Sequence, residues 1–188
     1  MAPSTVLVLV GSLRKESINR QLADLAAETA PEGVTLQRFD RLGELPFYNE
    51  DIDSASEPES VPVPVPEPVA ALREAAAGAD AALVVTPEYN GSIPGVLKNA
   101  IDWLSRPYGN GALKDKPVAV IGAALGQYGG VWAHDETRKS FGIAGPRVVE
   151  DLELSLPAAS LDGKHPRESA EVVAKLRDIV GKLVAEIG

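Results

Sequence analysis

The chain has 188 residues, no cysteine and a formal net charge of -9 at pH 7. Without cysteine there is no disulfide, no thiolate nucleophile and no zinc–sulfur site, so any redox chemistry must come from a bound cofactor. The acidic balance disfavours nucleic acid or an anionic membrane as the main partner, since either needs an excess of Lys and Arg on a contact face. A single domain over residues 1–188 is expected, large enough to bury roughly 70% of the surface its unfolded form exposes. No apolar run approaches the roughly 20 residues that span a bilayer. The start, Met-Ala-Pro-Ser and then Thr5 to Val10, has no basic stretch or cleavage-like site before Gly11, so a soluble, cytoplasmic protein is expected. The two histidines, His134 and His165, read as solvated helix or loop residues and leave little room for a metal site or a His-based triad.

In chain order, Val6 to Val10 is a continuous apolar run ending at Gly11-Ser12, the pattern of a strand buried on both faces. Ile18, Leu22, Leu25 and Ala26 then fall at helical spacing, and Thr35 to Phe39 reads as a second strand. Arg41 to Pro66 breaks the pattern: it is acidic and proline-rich, and Val61 to Pro66 cannot be helical because alternate residues lack an N–H. An extended loop is predicted there, either a surface strap or a loop at a subunit contact or active-site rim. Next come a helix carrying Val69, Leu72 and Ala76, a strand over Ala81 to Thr86, and a helix carrying Ile93, Leu97, Ala100 and Leu104. A strand over Val118 to Gly122, a helix from about Gly130 to Phe141 and a strand over Arg147 to Glu150 follow. The last helix carries Val173, Leu176, Val180, Leu183 and Ile187.

Strand and helix alternate five times, which calls for an open parallel sheet with helices on both faces and right-handed crossovers. Five such units at this length favour an α/β three-layer sandwich with the flavodoxin-like strand order 2-1-3-4-5 over a six-stranded dinucleotide fold or an eightfold barrel. Ligands of such sheets bind at the carboxyl ends of the strands, so the loops that begin at Gly11, Thr86 and Gly122 matter most.

In the first loop, Gly11 permits a sharp turn and Ser17 is an N-cap candidate, so the first helical N–H groups face whatever sits above the strand end. Ser12, Ser17 and Asn19 add short polar side chains, and Arg14 adds a planar fork suited to a phosphate. The loop is neither a P-loop nor a three-glycine dinucleotide fingerprint. A terminal phosphate cradle and an ordinary capped helix with a surface Arg-Lys pair both remain open on this loop alone.

In the second loop, Pro87 stops the strand, Asn90-Gly91 suits a turn with positive φ, and Pro94 stands near the first helical turn. The product is a rigid loop with exposed amides and an aromatic side chain, suited to a flat heteroaromatic ligand. Ser92 is not a nucleophile elbow, because Asn90 takes the place of the first glycine. In the third loop, Gly122 to Gly130, small residues either let the backbone approach a ring edge or, at Gly129-Gly130, release the chain into the next helix.

Two blocks resemble the NADPH-dependent FMN reductase family, the flavodoxin-like group that includes bacterial quinone, azo-dye and chromate reductases. Gly11-Ser12-Leu13-Arg14-Lys15-Glu16-Ser17-Ile18-Asn19 is similar to its phosphate loop Gly-Ser-x-Arg-x-x-Ser-x-Asn. Pro87-Glu88-Tyr89-Asn90, with Pro94-Gly95 and Leu97 to Trp103, resembles its flavin-ring loop, and Leu45-Pro46-x-Tyr48-x-x-Asp51 is a lesser echo. The resemblance implies that Ser12, Arg14, Ser17, Ile18 and Asn19 hold the phosphate of non-covalent FMN. It also implies that Pro87, Glu88, Tyr89, Asn90, Gly91 and Ser92 border the ribityl chain and ring, with Gly126 and Gln127 near the ring edge.

The implied enzyme passes electrons from NADPH or NADH through FMN to a small acceptor: a quinone, free flavin, azo compound or metal oxyanion. The flavin carries that chemistry, so no catalytic side chain is expected. A homodimer or homotetramer with flavin near the subunit contact is also implied. The choice of donor stays open, with Arg14, Lys15 and Arg106 as candidates for meeting a 2′-phosphate. A flavodoxin-type carrier and a cofactor-less interaction domain are the alternatives; the first loop lacks the Ser/Thr-x-Thr-Gly-x-Thr pattern of the carriers.

Overall fold

The computed structural model describes residues 3–53 and 64–187. Its five parallel strands are β1 (Ser4–Val10), β2 (Val34–Arg38), β3 (Ala81–Val85), β4 (Pro117–Ala124) and β5 (Arg147–Pro157), in the order β2-β1-β3-β4-β5. The helices are α1 (Ile18–Glu28), α2 (Glu67–Ala77), α3 (Gly95–Leu104), α4 (Val131–Ala144) and α5 (Ala170–Ala185). The predicted flavodoxin-like fold is therefore the observed one.

The period-2 alternation of a strand makes the three layers. Along β1, Val6, Val8 and Val10 pack with Leu22 and Leu25 of α1 and with Leu176 and Val180 of α5. Leu7 and Leu9 face the other way, onto Val69 and Leu72 of α2, Leu97 and Trp103 of α3 and Phe141 of α4. Each such fully buried side chain stabilises the fold by about 1.5–3 kcal/mol. The central strands are covered on both faces, which is why they read as unbroken apolar runs.

Strand register sets the site. Val10 stands beside Val85, and Val85 beside Ile121, so β1 and β3 end level with each other while β4 runs on to Ala124. The loops that follow these strands consequently emerge at one edge of the sheet, the third beginning at Leu125 and not at the expected Gly122, which is still paired with β5.

Strand and helix boundaries shift by a residue or more, most at β5 and α4. β5 runs to Pro157 and not to Glu150. It is an edge strand with Glu150, Asp151 and Glu153 exposed, and its pairing with β4 jumps from Val118↔Val148 to Val120↔Glu153. Acidic residues and an irregularity of this kind guard an open edge and erase the apolar run a sequence reading looks for. α4 likewise continues beyond Phe141 to Ala144, where Gly145, with φ 118, ends it.

The segment from Arg41 is less plain than an extended loop. It folds into short 3-10 turns at Leu42–Glu44 and Glu50–Ile52, with Leu42 and Leu45 buried. Asn99 and Trp103 of α3 hold it: Asn99 Oδ1 accepts from the Tyr48 N–H at 2.8 Å, and the Pro46 carbonyl accepts from Asn99 Nδ2 at 2.9 Å and from Trp103 Nε1 at 2.8 Å. Asp53, buried, forms a two-pronged ion pair with Arg73 at 2.9 Å. Much of the block from Leu97 to Trp103 thus clamps the neighbouring segment. Residues 61–63 of the predicted Val-Pro run lie outside the described residues, and Pro64 to Pro66 lead without regular structure into α2.

Candidate functional site

Above the carboxyl ends of β1, β3 and β4 lies a cavity of about 510 Å³, in the range of small-molecule and cofactor pockets. Ser12, Arg14, Ser17, Ile18 and Asn19 form one wall, Pro87, Glu88 and Tyr89 a second, and Ala123, Ala124, Leu125 and Gly126 a third, with Ala158 closing the edge. Three segments far apart in sequence therefore converge as their predicted positions required. Asn90, Gly91, Ser92 and Gln127 do not line the cavity.

In the first wall Ser17 is the N-cap of α1, its Oγ accepting from the Asn19 N–H at 3.2 Å, and the first turn of α1 holds no acidic residue. The helix start is thus open to an anion. Arg14 is exposed beside it, and Ser12 Oγ accepts from the Arg14 N–H at 3.4 Å.

Asn19 has a structural role that the sequence reading did not give it. Its amide is buried and already satisfied, Nδ2 donating to the Ala123 carbonyl at 2.9 Å and Oδ1 accepting from the Ala123 N–H at 2.8 Å. It ties the first loop to the third, with one Nδ2 hydrogen spent on that link. Gly11 is also explained differently: an added Cβ would lie 2.3 Å from Thr86 Oγ1, so clearance and not turn geometry demands glycine.

The second wall is a tight hairpin. Tyr89 and Ser92 exchange two backbone hydrogen bonds of 3.1 Å across Asn90 and Gly91, whose φ of 52 and 72 match the predicted positive-φ turn. Two bonds staple this hairpin to the first turns of α4: Glu88 Oε2 accepts from the Ala133 N–H at 3.2 Å, and Ser92 Oγ donates to Glu136 Oε2 at 2.6 Å. A carboxylate at that helix N-terminus is favoured by the helix dipole. Asn90, Gly91 and Ser92 thus form and anchor the turn while Pro87 to Tyr89 form the wall.

In the third loop both open readings apply, to different residues. Ala123 to Gly126 form a wall, whereas Gly129 and Gly130, with φ 65 and 96, release the chain into α4. Gln127 is exposed. Leu125 is 92% exposed, and Tyr128 and Trp132, with ring centroids 5.8 Å apart, stand 57% and 55% exposed, an aromatic rim beside the cavity. Arg106 lies elsewhere, donating to Tyr48 Oη at 3.0 Å and lining a groove of about 370 Å³ between α3 and α4.

His134 is not solvated. It is wholly buried, with Nε2 2.9 Å from the Thr86 carbonyl oxygen and Nδ1 2.7 Å from Ser155 Oγ, and burial is the main cause that lowers its pKa from the usual 6.5. Its phase was readable: His134, Thr137 and Phe141 fall on one helical face, the one that is buried. Arg138 is also buried, donating to the Val120 carbonyl at 2.9 Å and pairing with Asp135. Ala158 had no sequence signal, because it follows the part of β5 that was not expected.

A family model described as NADPH-dependent FMN reductase matches residues 4–160. A quinone reductase from Pseudomonas putida is 46% identical over 160 residues, spanning 85% of this chain and 78% of that protein. A 2-hydroxy-1,4-benzoquinone reductase from Burkholderia sp is 44% identical over 133 residues, 71% of this chain and 67% of the relative. Among solved structures, the flavoenzyme NAD(P)H:(acceptor) oxidoreductase FerB from Paracoccus denitrificans is 34% identical with a TM-score of 0.81, covering 98% of this chain and 97% of its own.

Proposed function

This chain belongs to the NADPH-dependent FMN reductase family and is an FMN-dependent oxidoreductase, and we propose that its reaction is the two-electron reduction of a quinone by NADPH or NADH. The carrying observation is that a capped, acid-free helix start and an aromatic hairpin face each other across one cavity at the strand ends. Those residues fit FMN: a dianionic phosphate suits the α1 N-terminus, and a flat ring suits the hairpin and small-residue walls.

In this reading Ser12, Arg14, Ser17 and the amides around Ile18 hold the phosphate, with Arg14 the cation at that wall. Pro87, Glu88 and Tyr89 lie along the ring on one side, and Ala123 to Gly126 on the other. Bound FMN supplies acceptance of a hydride and delivery of two electrons. The chain orients the ring, excludes water from its buried edge and leaves the other edge open beside Tyr89, Tyr128 and Trp132. These exposed aromatics favour a flat, apolar acceptor over a metal oxyanion. No side chain is assigned as a catalytic acid or base.

The reading includes a homodimer or homotetramer, supported by Tyr108 and Ile143, 85% and 74% exposed on the α3–α4 groove. It also includes a cytoplasmic place for the reaction; among the described residues no helix is long and apolar enough to cross a membrane. The decisive experiment is one cuvette. Purified protein with added FMN is expected to oxidise NADPH or NADH continuously when benzoquinone is present, and faster than with azo dye or chromate. A protein that binds FMN yet turns over no nicotinamide is a carrier and refutes the proposal.

A further inference from the structure

Beneath the cavity floor the ladder between β3 and β4 stops one bond early. The Thr86 N–H donates to the Ile121 carbonyl at 2.9 Å. In a regular parallel ladder the Thr86 carbonyl would next accept from the Ala123 N–H. Instead the Ala123 N–H goes to Asn19 Oδ1 at 2.8 Å, and the Thr86 carbonyl faces His134 Nε2 at 2.9 Å. Two side chains, from α1 and α4, thus take the place of one backbone bond. Gly122 sits at the crossing: an added Cβ there would lie 1.9 Å from the Thr86 carbonyl oxygen, 2.7 Å from His134 Nε2 and 2.9 Å from Asn19 Oδ1.

The residue after Thr86 is Pro87, which has no N–H with which to anchor the hairpin. The second wall is therefore held at its base through carbonyls: that of Thr86, and that of Pro87, which accepts from Thr86 Oγ1 at 3.0 Å. A carbonyl oxygen only accepts, so His134 Nε2 carries the proton, and Nδ1 of the neutral ring accepts from the Ser155 hydroxyl. One imidazole thereby spans β3 and β5 from α4.

We propose that His134 is a positioning residue of the flavin site: its neutral imidazole fixes the Thr86 carbonyl, and through it the spacing between the Pro87–Tyr89 wall and the Ala123–Gly126 wall. The inference rests on the cavity being the FMN site. The charged groups acting on the ring are Arg138 and Asp135 from α4 and Glu88 from the hairpin. α1, β4 and β5 present Asn19, Gly122 and Ser155, all uncharged. Of the charged groups, Arg138 opposes a charged ring and the two carboxylates favour it, while burial outweighs them all.

The test compares His134→Gln, which keeps a donor and an acceptor but cannot titrate, with His134→Leu, which keeps neither. The FMN dissociation constant is read by fluorescence quenching, together with the visible spectrum of bound flavin. His134→Leu is expected to weaken FMN binding by roughly tenfold or more and to shift the spectrum, and His134→Gln to restore both to within about threefold. If His134→Leu fails to fold, Ser155→Ala decides by the same readouts, with weaker binding expected. Wild-type affinity and spectrum in His134→Leu, or in Ser155→Ala where that variant decides, overturns the proposal. A wild type that takes up no FMN overturns the flavin reading itself, a distinguishable result.

Discussion

Asn19→Ala separates a phosphate ligand from a structural clamp. The side chain makes two hydrogen bonds to Ala123, of 2.9 and 2.8 Å, at a point where Asn19 is 3% and Ala123 2% exposed. Truncation strands the Ala123 N–H and carbonyl with no replacement partner, each at a cost of about 1–3 kcal/mol. Allowing for relaxation of the loop, the loss is about 2–4 kcal/mol. For a domain of this size each kcal/mol shifts the melting temperature by about 2–4 °C, so Tm should fall by roughly 5–15 °C. The assay is thermal unfolding of protein stripped of FMN, followed by circular dichroism. The stripped protein matters, because a residue that only contacts phosphate leaves its stability unchanged. An apo Tm within about 1 °C of wild type, together with weakened FMN binding, would refute the clamp.

Arg14→Ala should behave in the opposite way. Arg14 is exposed and no ion pair anchors it among the described residues, so apo Tm should hold while the FMN dissociation constant, read by fluorescence titration, rises about ten- to hundredfold. Gly126→Ala should leave the apo Tm at its wild-type value, since no atom of the described residues stands within 4 Å of its added Cβ. Gly129→Ala, whose Cβ would lie 2.4 Å from the Ser155 backbone at φ 65, should lower Tm sharply. The lowered pKa of His134 carries a stability prediction with a definite sign. Below the unfolded pKa near 6.5 the unfolded chain takes up a proton that the native site resists, so stability is lost as pH falls from about 6.5 toward the lower native value and then levels off. Urea unfolding at stepped pH should show this loss in wild type relative to His134→Gln; parallel curves would refute it.

The five-unit alternation was legible because the central strands are covered on both faces, and Val6 to Val10 or Ala81 to Val85 admit no other reading as buried runs. β5 was half-hidden because an edge strand with an irregular register needs no apolar continuity. The cavity walls were legible from Ser12 to Asn19 and from Pro87 to Tyr89, where turn and cap chemistry is local. What could not be read was which polar groups the fold had already used. Asn19 and Ser92 look like free donors in the sequence, yet one is spent on Ala123 and the other on Glu136 across long sequence separations. His134 posed the reverse problem: a polar residue whose helical phase, and not its chemistry, placed it inside.

The glycines give the common physical account. Thr86 is threaded between two of them, Gly11 of the neighbouring β1 end and Gly122 of β4, and an added Cβ at either would overlap its atoms, at 2.3 Å from Oγ1 and 1.9 Å from the carbonyl oxygen. Strand ends this close leave no room for side chains on the cavity floor, so the floor is backbone and its support comes from below, through Asn19 and His134. A site so built offers dipoles and shape and keeps the His134 imidazole out of the cavity lining. That suits a cofactor that carries the reaction, because neutral, fixed donors set the position of a flat ring without adding a competing acid or base. It follows that substitutions beneath the floor should alter where the flavin sits, and so its affinity and spectrum, whereas substitutions on the aromatic rim at Tyr128 and Trp132 should change the preference among acceptors and leave FMN affinity alone.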